Sequence, residues 1–414
     1  MAKKIMNNKI ITLCQCAKKF LPVLLLALPS YAVAATPGIA AGFFHSLALK
    51  ADGSVWAWGY NGNGQLGDGS KIERAAPVEV LPPGSGVIQI AAGKIYSLAL
   101  KADGSVWAWG NNAWGQMGDG TKTDRLSPIS VLPPGSNVIK IAAGKDFAFA
   151  LKKDGSVWGW GTNDSHQLGP ERTDNLGEPE YFIRSPIQVM APGSGVIELT
   201  AGDRFALAVK GDGSVWAWGN NERGQLANGT AGERKWPPVQ AIPPGSGVIA
   251  IAAGTRFSLA LKKDGSVWSW GSNQFGQLGD GTLDIDRPAP QRILPPGSGI
   301  VAIAAGVSHT LALKKNGSIL AWGANNAGQL GNGSAWTWES VKLHDLAGVP
   351  KQLSPLQVLL PGSGVIALAA SNGQSLALKA DGGILEWGNA SPRDPWLGMS
   401  SPGKLVPTLL PDFL

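Results

Sequence analysis

Histidine is the side chain best suited to move protons or hold a metal near neutral pH, and the chain has four: His45, His166, His309 and His344. His45 and His309 share one recurring column with Tyr96, Phe147, Phe205, Phe257 and Gln374. A position that takes aromatic rings as readily as imidazole reads as a packing slot. His166 and His344 fall in loop-like stretches with no second ligand at metal spacing. Carboxylates recur in Asp-Gly pairs, from Asp52-Gly53 to Asp381-Gly382, with Asn316-Gly317 in the sixth copy. Equivalent copies of one acid point to turn geometry, and no acid/base pair can be assembled around them. Asn61-Gly62-Asn63-Gly64 with Asp68 has the oxygen-rich character of a calcium loop but lacks its bidentate Glu. The sequence therefore offers no catalytic residues, no metal site and no cofactor.

Aromatic residues are the other candidates. Trp56/Trp58, Trp107/Trp109, Trp158/Trp160, Trp216/Trp218 and Trp268/Trp270 alternate with small residues, which puts both rings of a pair on one strand face. Inter-element core is the favoured reading, with a ligand platform as the alternative. Trp322 and Trp387 keep only the second ring.

The elements that position these residues are repeats. Marker glycines at Gly42, Gly93, Gly144, Gly202, Gly254 and Gly306, with Ser371 in the seventh copy, lie between 51 and 65 residues apart. Each copy reads as four short strands, as in Val87–Ala92, 97–101, 105–110 and a fourth near 77–81 in the preceding copy. The Asp-Gly pairs predict two-residue hairpin loops with both central residues at positive φ. Pro-Pro-Gly-Ser-Gly links join successive units. Strands apolar on both faces imply sheets packed against sheets. The expected fold is an all-β, seven-bladed β-propeller of four-stranded antiparallel blades. Its ring would close by bringing the N-terminal strand, from Ile39 to Ala41, and the C-terminal strand, from Val406 to Leu410, together.

Residues 1–34 differ in kind. Lys3, Lys4, Lys9, Lys18 and Lys19 precede an apolar run from Phe20 to Leu28 and then Ala32-Val33-Ala34. This pattern predicts a signal peptide cleaved after Ala34, leaving 35–414 as the propeller in a secreted or periplasmic location. Cleavage removes five positive charges, so the formal +6 falls to about +1, and both cysteines, Cys14 and Cys16, go with it. A near-neutral product has no basic footprint for nucleic acid, and no membrane span is expected in it.

The phrases Ala-Gly-x-x-x-Ser-Leu-Ala-Leu, Asp-Gly-x-Val-x-x-Trp-Gly and Asn-x-x-Gly-Gln-Leu-Gly-Asp-Gly resemble the regulator of chromosome condensation repeat from Ile39 to the end. The resemblance implies a seven-bladed propeller. Its founder is a nucleotide-exchange factor that binds chromatin, partners an exported chain would not meet. The Gly-Trp-Arg-His-Thr motifs of the family's plant photoreceptor are missing here. A secreted bacterial propeller that clamps β-lactamases with one face resembles the chain in expected compartment, but its target does not carry over.

Antiparallel strands sort their connections onto two sides. Hairpins and links share one side and hardly vary. The turns after the marker glycines and the loops between third and fourth strands share the other, where Phe43, Tyr60, Trp114, Arg204, Arg223, Arg256 and Phe275 differ from copy to copy. Two insertions, at 170–184 and 335–352, fall on that side too. Exposed aromatic and arginine side chains on rigid scaffolds are typical recognition residues. The expected partner is an exported or envelope protein, bound by a monomer. A glycan stacked on Tyr60, Trp114, Trp336 and Trp338 is the alternative, and repeat drift on an idle surface is the bland one.

Overall fold

The structure, a computed structural model, describes residues 35–172, 181–335, 351–389 and 404–411. The expected signal peptide, His344, Trp336, Trp338 and most of both insertions lie outside these residues. Twenty-eight strands form seven four-stranded antiparallel sheets, each built from consecutive strands. In the first blade β1 (Gly38–Ala41), β2 (His45–Leu49), β3 (Val55–Gly59) and β4 (Arg74–Leu81) lie side by side in chain order. The second blade repeats this with β5 (Val87–Ala92), β6 (Tyr96–Lys101), β7 (Val106–Gly110) and β8 (Arg125–Leu132). Each first strand neighbours that of the next blade, and β1 lies beside the first strand of the seventh, Val365–Ala370. These seven strands ring the axis, and the seven-bladed propeller expected from the repeats is the observed fold. Among the described residues no helix is long and apolar enough to cross a membrane.

The fourth strands begin earlier than the sequence suggested, at Arg74 rather than Pro77. Proline is tolerated there because the fourth strand is the outer edge of its sheet, where a missing N–H breaks no ladder.

The hairpins also depart from expectation. Gly53 N–H donates to Lys50 O and Lys50 N–H to Ser54 O, which makes a three-residue loop. Gly53 has φ 81°, while Asp52 stays at negative φ. The Asp52 carboxylate accepts from Ser54 N–H at 2.8 Å and Ser54 Oγ–H at 2.6 Å. A serine follows five of the six Asp-Gly pairs and supplies these donors, and in the seventh blade Gly383 N–H alone reaches Asp381; the result is a loop in which only glycine is left-handed.

Blades bury both faces, as the strand composition requires. Trp109 of β7 packs into the first blade on Leu47, Leu49, Val55 and Leu66, and Trp160 packs likewise on Leu98, Leu100 and Val106. The indole N–H of Trp160 donates to Gln116 O at 2.9 Å, and Trp218, Trp270, Trp322 and Trp387 each reach a glutamine carbonyl of the preceding blade. The second tryptophan of each pair is thus inter-blade core. Trp109, Trp160, Trp218 and Trp270 bury the ring fully, which makes truncation cost about 3–5 kcal/mol.

The ring joint differs chemically. Trp58 Nε1–H donates to Glu386 Oε1 at 3.1 Å, Lys404 Nζ reaches the other carboxylate oxygen at 2.6 Å, and Ser46 Oγ–H donates to Gln374 at 3.0 Å. Ile39, Ala41 and Leu410 share one apolar cluster across this joint. At this joint β1 packs against Val365–Ala370 and Gln374–Lys379 of the seventh blade. The terminal strands share no ladder, because β1 pairs with β2, and Lys404–Leu409 pairs with Ile384–Gly388.

The marker glycines have a steric cause. A Cβ on Gly93 would lie 1.9 Å from Cε1 of Tyr96, and one on Gly254 would lie 2.1 Å from Cε1 of Phe257. The column ring lies flat on the glycine. In the seventh copy Gln374 replaces the ring, and there the marker is Ser371.

Candidate functional site

The two sides of the propeller separate as the connections predict. On one, Gly84 N–H of the first link donates to Asp52 O and Ala102 N–H of the next hairpin donates to Gly86 O, so links and hairpins form one continuous surface. We call it the hairpin face. The opposite loop face carries the turns after the marker glycines and the loops between third and fourth strands.

Those loops are rigid by construction. Asn112 accepts Met117 N–H at 3.0 Å, while its amide donates to Asp119, Thr121 O and Thr123 O. Asp119 also holds Arg125. Burial pushes the Asp119 carboxyl up, but Arg125 and Thr121 outweigh it and keep it below the usual carboxylate range. The oxygen-rich loop of the first blade is built the same way, with Asp68 committed to Asn61, Ser70 and Arg74. These carboxylates organise loops.

In the third copy a histidine replaces a recurring loop glycine. His166 has φ 63° at the position where the other loops place Gly64, Gly115, Gly224, Gly276 and Gly328. A left-handed histidine stores backbone strain. His166→Gly is expected to raise the unfolding free energy by about 0.5–1 kcal/mol, after the extra freedom of glycine in the unfolded chain is subtracted. Denaturant titration checks this.

His45 and His309 are fully buried, and burial drives each pKa down to about 3; at His45 the polarity of the Tyr96 backbone opposes the shift. Ser97 Oγ–H donates to Gln65 O, so His45 Nε2–H donates to Ser97 Oγ at 2.9 Å. His309 meets Ser375 in the same way. Both Nδ1 atoms are buried without a hydrogen-bond partner. These imidazoles are neutral packing groups, as the column suggested.

A cleft of about 490 Å³ opens among the loops of the second, third and fourth blades. One wall is aromatic: Trp114 lies 5.0 Å from Phe182 at 39°, and Tyr181 lies 6.5 Å from Phe182 at 63°. Trp114 and Tyr181 are 43% and 44% exposed, unusual for such large rings. Charge of both signs lines the rest. Lys145 pairs with Asp203 at 3.2 Å and Arg204 with Asp164 at 3.0 Å. Lys94 and Asp146 also line the cleft, and neither makes an ion pair within 4.0 Å among the described residues. Burial raises the Asp146 carboxyl, with Lys94, Lys145 and Arg204 pulling against it and Asp203 adding to it.

Two of the residues selected from sequence, Trp114 and Arg204, meet in this cleft. The others do not. Phe43 is half-buried, lines a narrow axial cavity of about 160 Å³ and packs edge-on against Phe44, which contacts Tyr60 in turn. Arg223 pairs with Asp286 at 3.2 Å, Arg256 lies 3.7 Å from Glu222, and Phe275 is half-buried. All three arginines therefore bridge neighbouring blades while staying partly exposed. Sequence selection passed over Lys94, Lys145, Asp146, Asp164, Asp203, Tyr181 and Phe182. Five of them sit in the same variable segments, and the last two end the insertion of the third copy.

Comparison with known proteins agrees with this architecture. Residues 132–412 match the RCC1-like domain, and residues 52–100 and 103–151 match the regulator of chromosome condensation (RCC1) repeat. The ultraviolet-B receptor UVR8 of Arabidopsis thaliana is 31% identical over 303 residues, 72% of this chain and 67% of the receptor. The mouse E3 ubiquitin-protein ligase HERC2 is 34% identical over 280 residues, 65% of this chain but only 6% of the ligase. Among solved structures, Prp20p of Saccharomyces cerevisiae, described with binding properties to Gsp1p and histones, superposes with a TM-score of 0.68. The alignment covers 86% of this chain and 85% of Prp20p at 24% identity, a likeness of fold. Human WBSCR16 gives 0.68 at 26% identity, covering 83% and 87%. The chain belongs to the regulator of chromosome condensation repeat family.

Proposed function

We propose that this chain is an exported, non-enzymatic binding module that recognises another protein through its loop face, with the cleft at Trp114 as anchor. The observation that carries this reading is the pairing of exposed rings with charges of both signs in one concave site on a stiff scaffold. Exposed aromatic side chains supply contact area at low entropic cost, and the mixed charges select a complementary partner surface. Two of the similar proteins are named by binding or reception: one is an ultraviolet-B receptor, and the structure of similar fold is described by its binding to Gsp1p and histones. Their partners are not transferred.

A glycan needs an open aromatic face to stack on. Trp114 already has Phe182 packed 5.0 Å from it, and Lys122 Nζ sits 4.7 Å over the Phe182 ring. That arrangement suits the edge of a protein interface better than a sugar platform.

The test is capture from envelope or culture fractions, followed by titration of the purified partner. Trp114→Ala is expected to weaken binding by about 30-fold, the effect of one anchor of about 2 kcal/mol. A partner bound equally well by Trp114→Ala and Arg204→Ala would place recognition elsewhere. Retention on a glycan array with no protein partner would favour the sugar reading.

A further inference from the structure

The hairpin face varies least, and it carries its own unexplained apolar ring. Five of the exposed large hydrophobic side chains occupy one equivalent position: Ile139 (50%), Ile197 (59%), Ile249 (54%), Val301 (49%) and Ile366 (51%), with half-buried Ile88 as the sixth. Each follows the buried residue that opens an inner strand. Each is also the extra residue of a β-bulge, since pairing shifts across it: Val138 opposes Lys152 while Lys140 opposes Leu151. The same shift recurs in the second, fourth, fifth, sixth and seventh blades. The first blade, whose inner strand starts at Gly38, lacks it. A bulge re-aims a side chain out of its sheet. Six bulges in register therefore ring the axis with branched aliphatic side chains where the links meet the hairpins.

Cations and indoles surround that ring. Every hairpin opens on a lysine, from Lys50 to Lys379, and Lys153, Lys263 and Lys315 add a second in three of them. Six hairpins carry one aspartate each, and the links carry no charge. The face is net basic, although the chain from residue 35 onward is close to neutral. Five of the opening lysines lie over the half-buried first tryptophan of their blade, with Nζ between 4.2 and 4.6 Å from the ring, as for Lys101 over Trp107 and Lys50 over Trp56.

We propose that the hairpin face docks on the surface of a bilayer containing anionic lipids. Protruding aliphatic side chains, half-buried indoles and lysines arching over them are the set that settles at the boundary between headgroups and acyl chains. The basic excess selects anionic headgroups. A bilayer is the same in every lateral direction, which matches a face whose chemistry repeats around the axis. This inference concerns the face opposite the cleft and does not depend on the reading of the loop face.

The experiment is flotation of the full chain with vesicles of phosphatidylcholine, alone or with about 30% phosphatidylglycerol. Residues 1–34 are themselves basic and apolar, so the comparison is among variants of the same chain. One variant combines Ile139→Ser, Ile197→Ser, Ile249→Ser and Ile366→Ser; a second combines Lys153→Glu, Lys263→Glu and Lys315→Glu, all at exposed positions. Expected are partition onto the anionic vesicles only, a loss of about tenfold or more in each variant, and a comparable loss at ~0.5 M salt. Thermal melts check folding, and the lysine variant keeps the test decisive if the isoleucine variant melts early. The proposal is overturned if the parent chain does not float, or if both variants float as it does. It is also overturned if the isoleucine changes abolish a concentration-dependent dimer and leave flotation intact, which would assign the face to a second copy.

Discussion

Gly93→Ala is expected to lower the unfolding free energy by about 3 kcal/mol or more, a large effect for the addition of one methyl group. The new Cβ would fall 1.9 Å from Cε1 and 2.5 Å from Cδ1 of Tyr96. Tyr96 cannot swing aside, because its ring is fully buried and its hydroxyl donates to Phe147 O, with Gly144 O 3.2 Å away, in the next blade. The strain therefore spreads into two blades. The seventh copy supplies the control: a glutamine replaces the ring at 374, and serine occupies the marker position at 371. Tyr96→Gln should itself cost stability, yet the double variant should be more stable than the sum of the single changes predicts, by about 1–3 kcal/mol. Additive losses in chemical denaturation would show that the glycine is kept for another reason.

Acid should destabilise the propeller through the two buried histidines. Each has a folded pKa of about 3, against about 6.5 in the unfolded chain. Above pH 6.5 both states hold the neutral ring and the pair adds nothing. Below it the unfolded chain takes up protons that the folded state refuses, so stability falls as pH drops from 6.5 towards 3. By pH 5 the loss is about 2 kcal/mol for each histidine, or about 4 kcal/mol together. Phenylalanine already fills the same column at 147, 205 and 257. His45→Phe with His309→Phe should therefore remove most of the slope between pH 7.5 and 5, at the expense of the bonds to Ser97 and Ser375. An unchanged slope in the double variant would place the titration elsewhere.

The scaffold was legible in the sequence because each constraint recurs in at least five of the seven copies. The marker glycine, the column ring, the paired tryptophans and the Asp-Gly hairpin each encode one local decision, and repetition separates signal from drift. The turn type was misread because Asp-Gly alone fits two loops; Ser54 and its equivalents, donating to the aspartate, decide between them. The bulges escaped notice because Val-Ile reads as ordinary strand until the register shows which residue is extra. The loop face was legible only as a region. Variation picked out Trp114 and Arg204, but type alone could not reveal that Arg223 and Arg256 are already drawn to Asp286 and Glu222. Nor could it show that Tyr181 and Phe182, distant in sequence from Trp114, form one wall with it.

Recognition is proposed to reside on the loop face around the Trp114 cleft. Hydrogen exchange of the chain with and without its purified protein partner tests this most directly. Binding at the cleft predicts slowed exchange at 113–116, 145–146, 163–166, 181–183 and 203–204, with the hairpins at 101–105 and 210–214 unchanged. Slowed exchange confined to those hairpins, or to the links that pack on them, would contradict it.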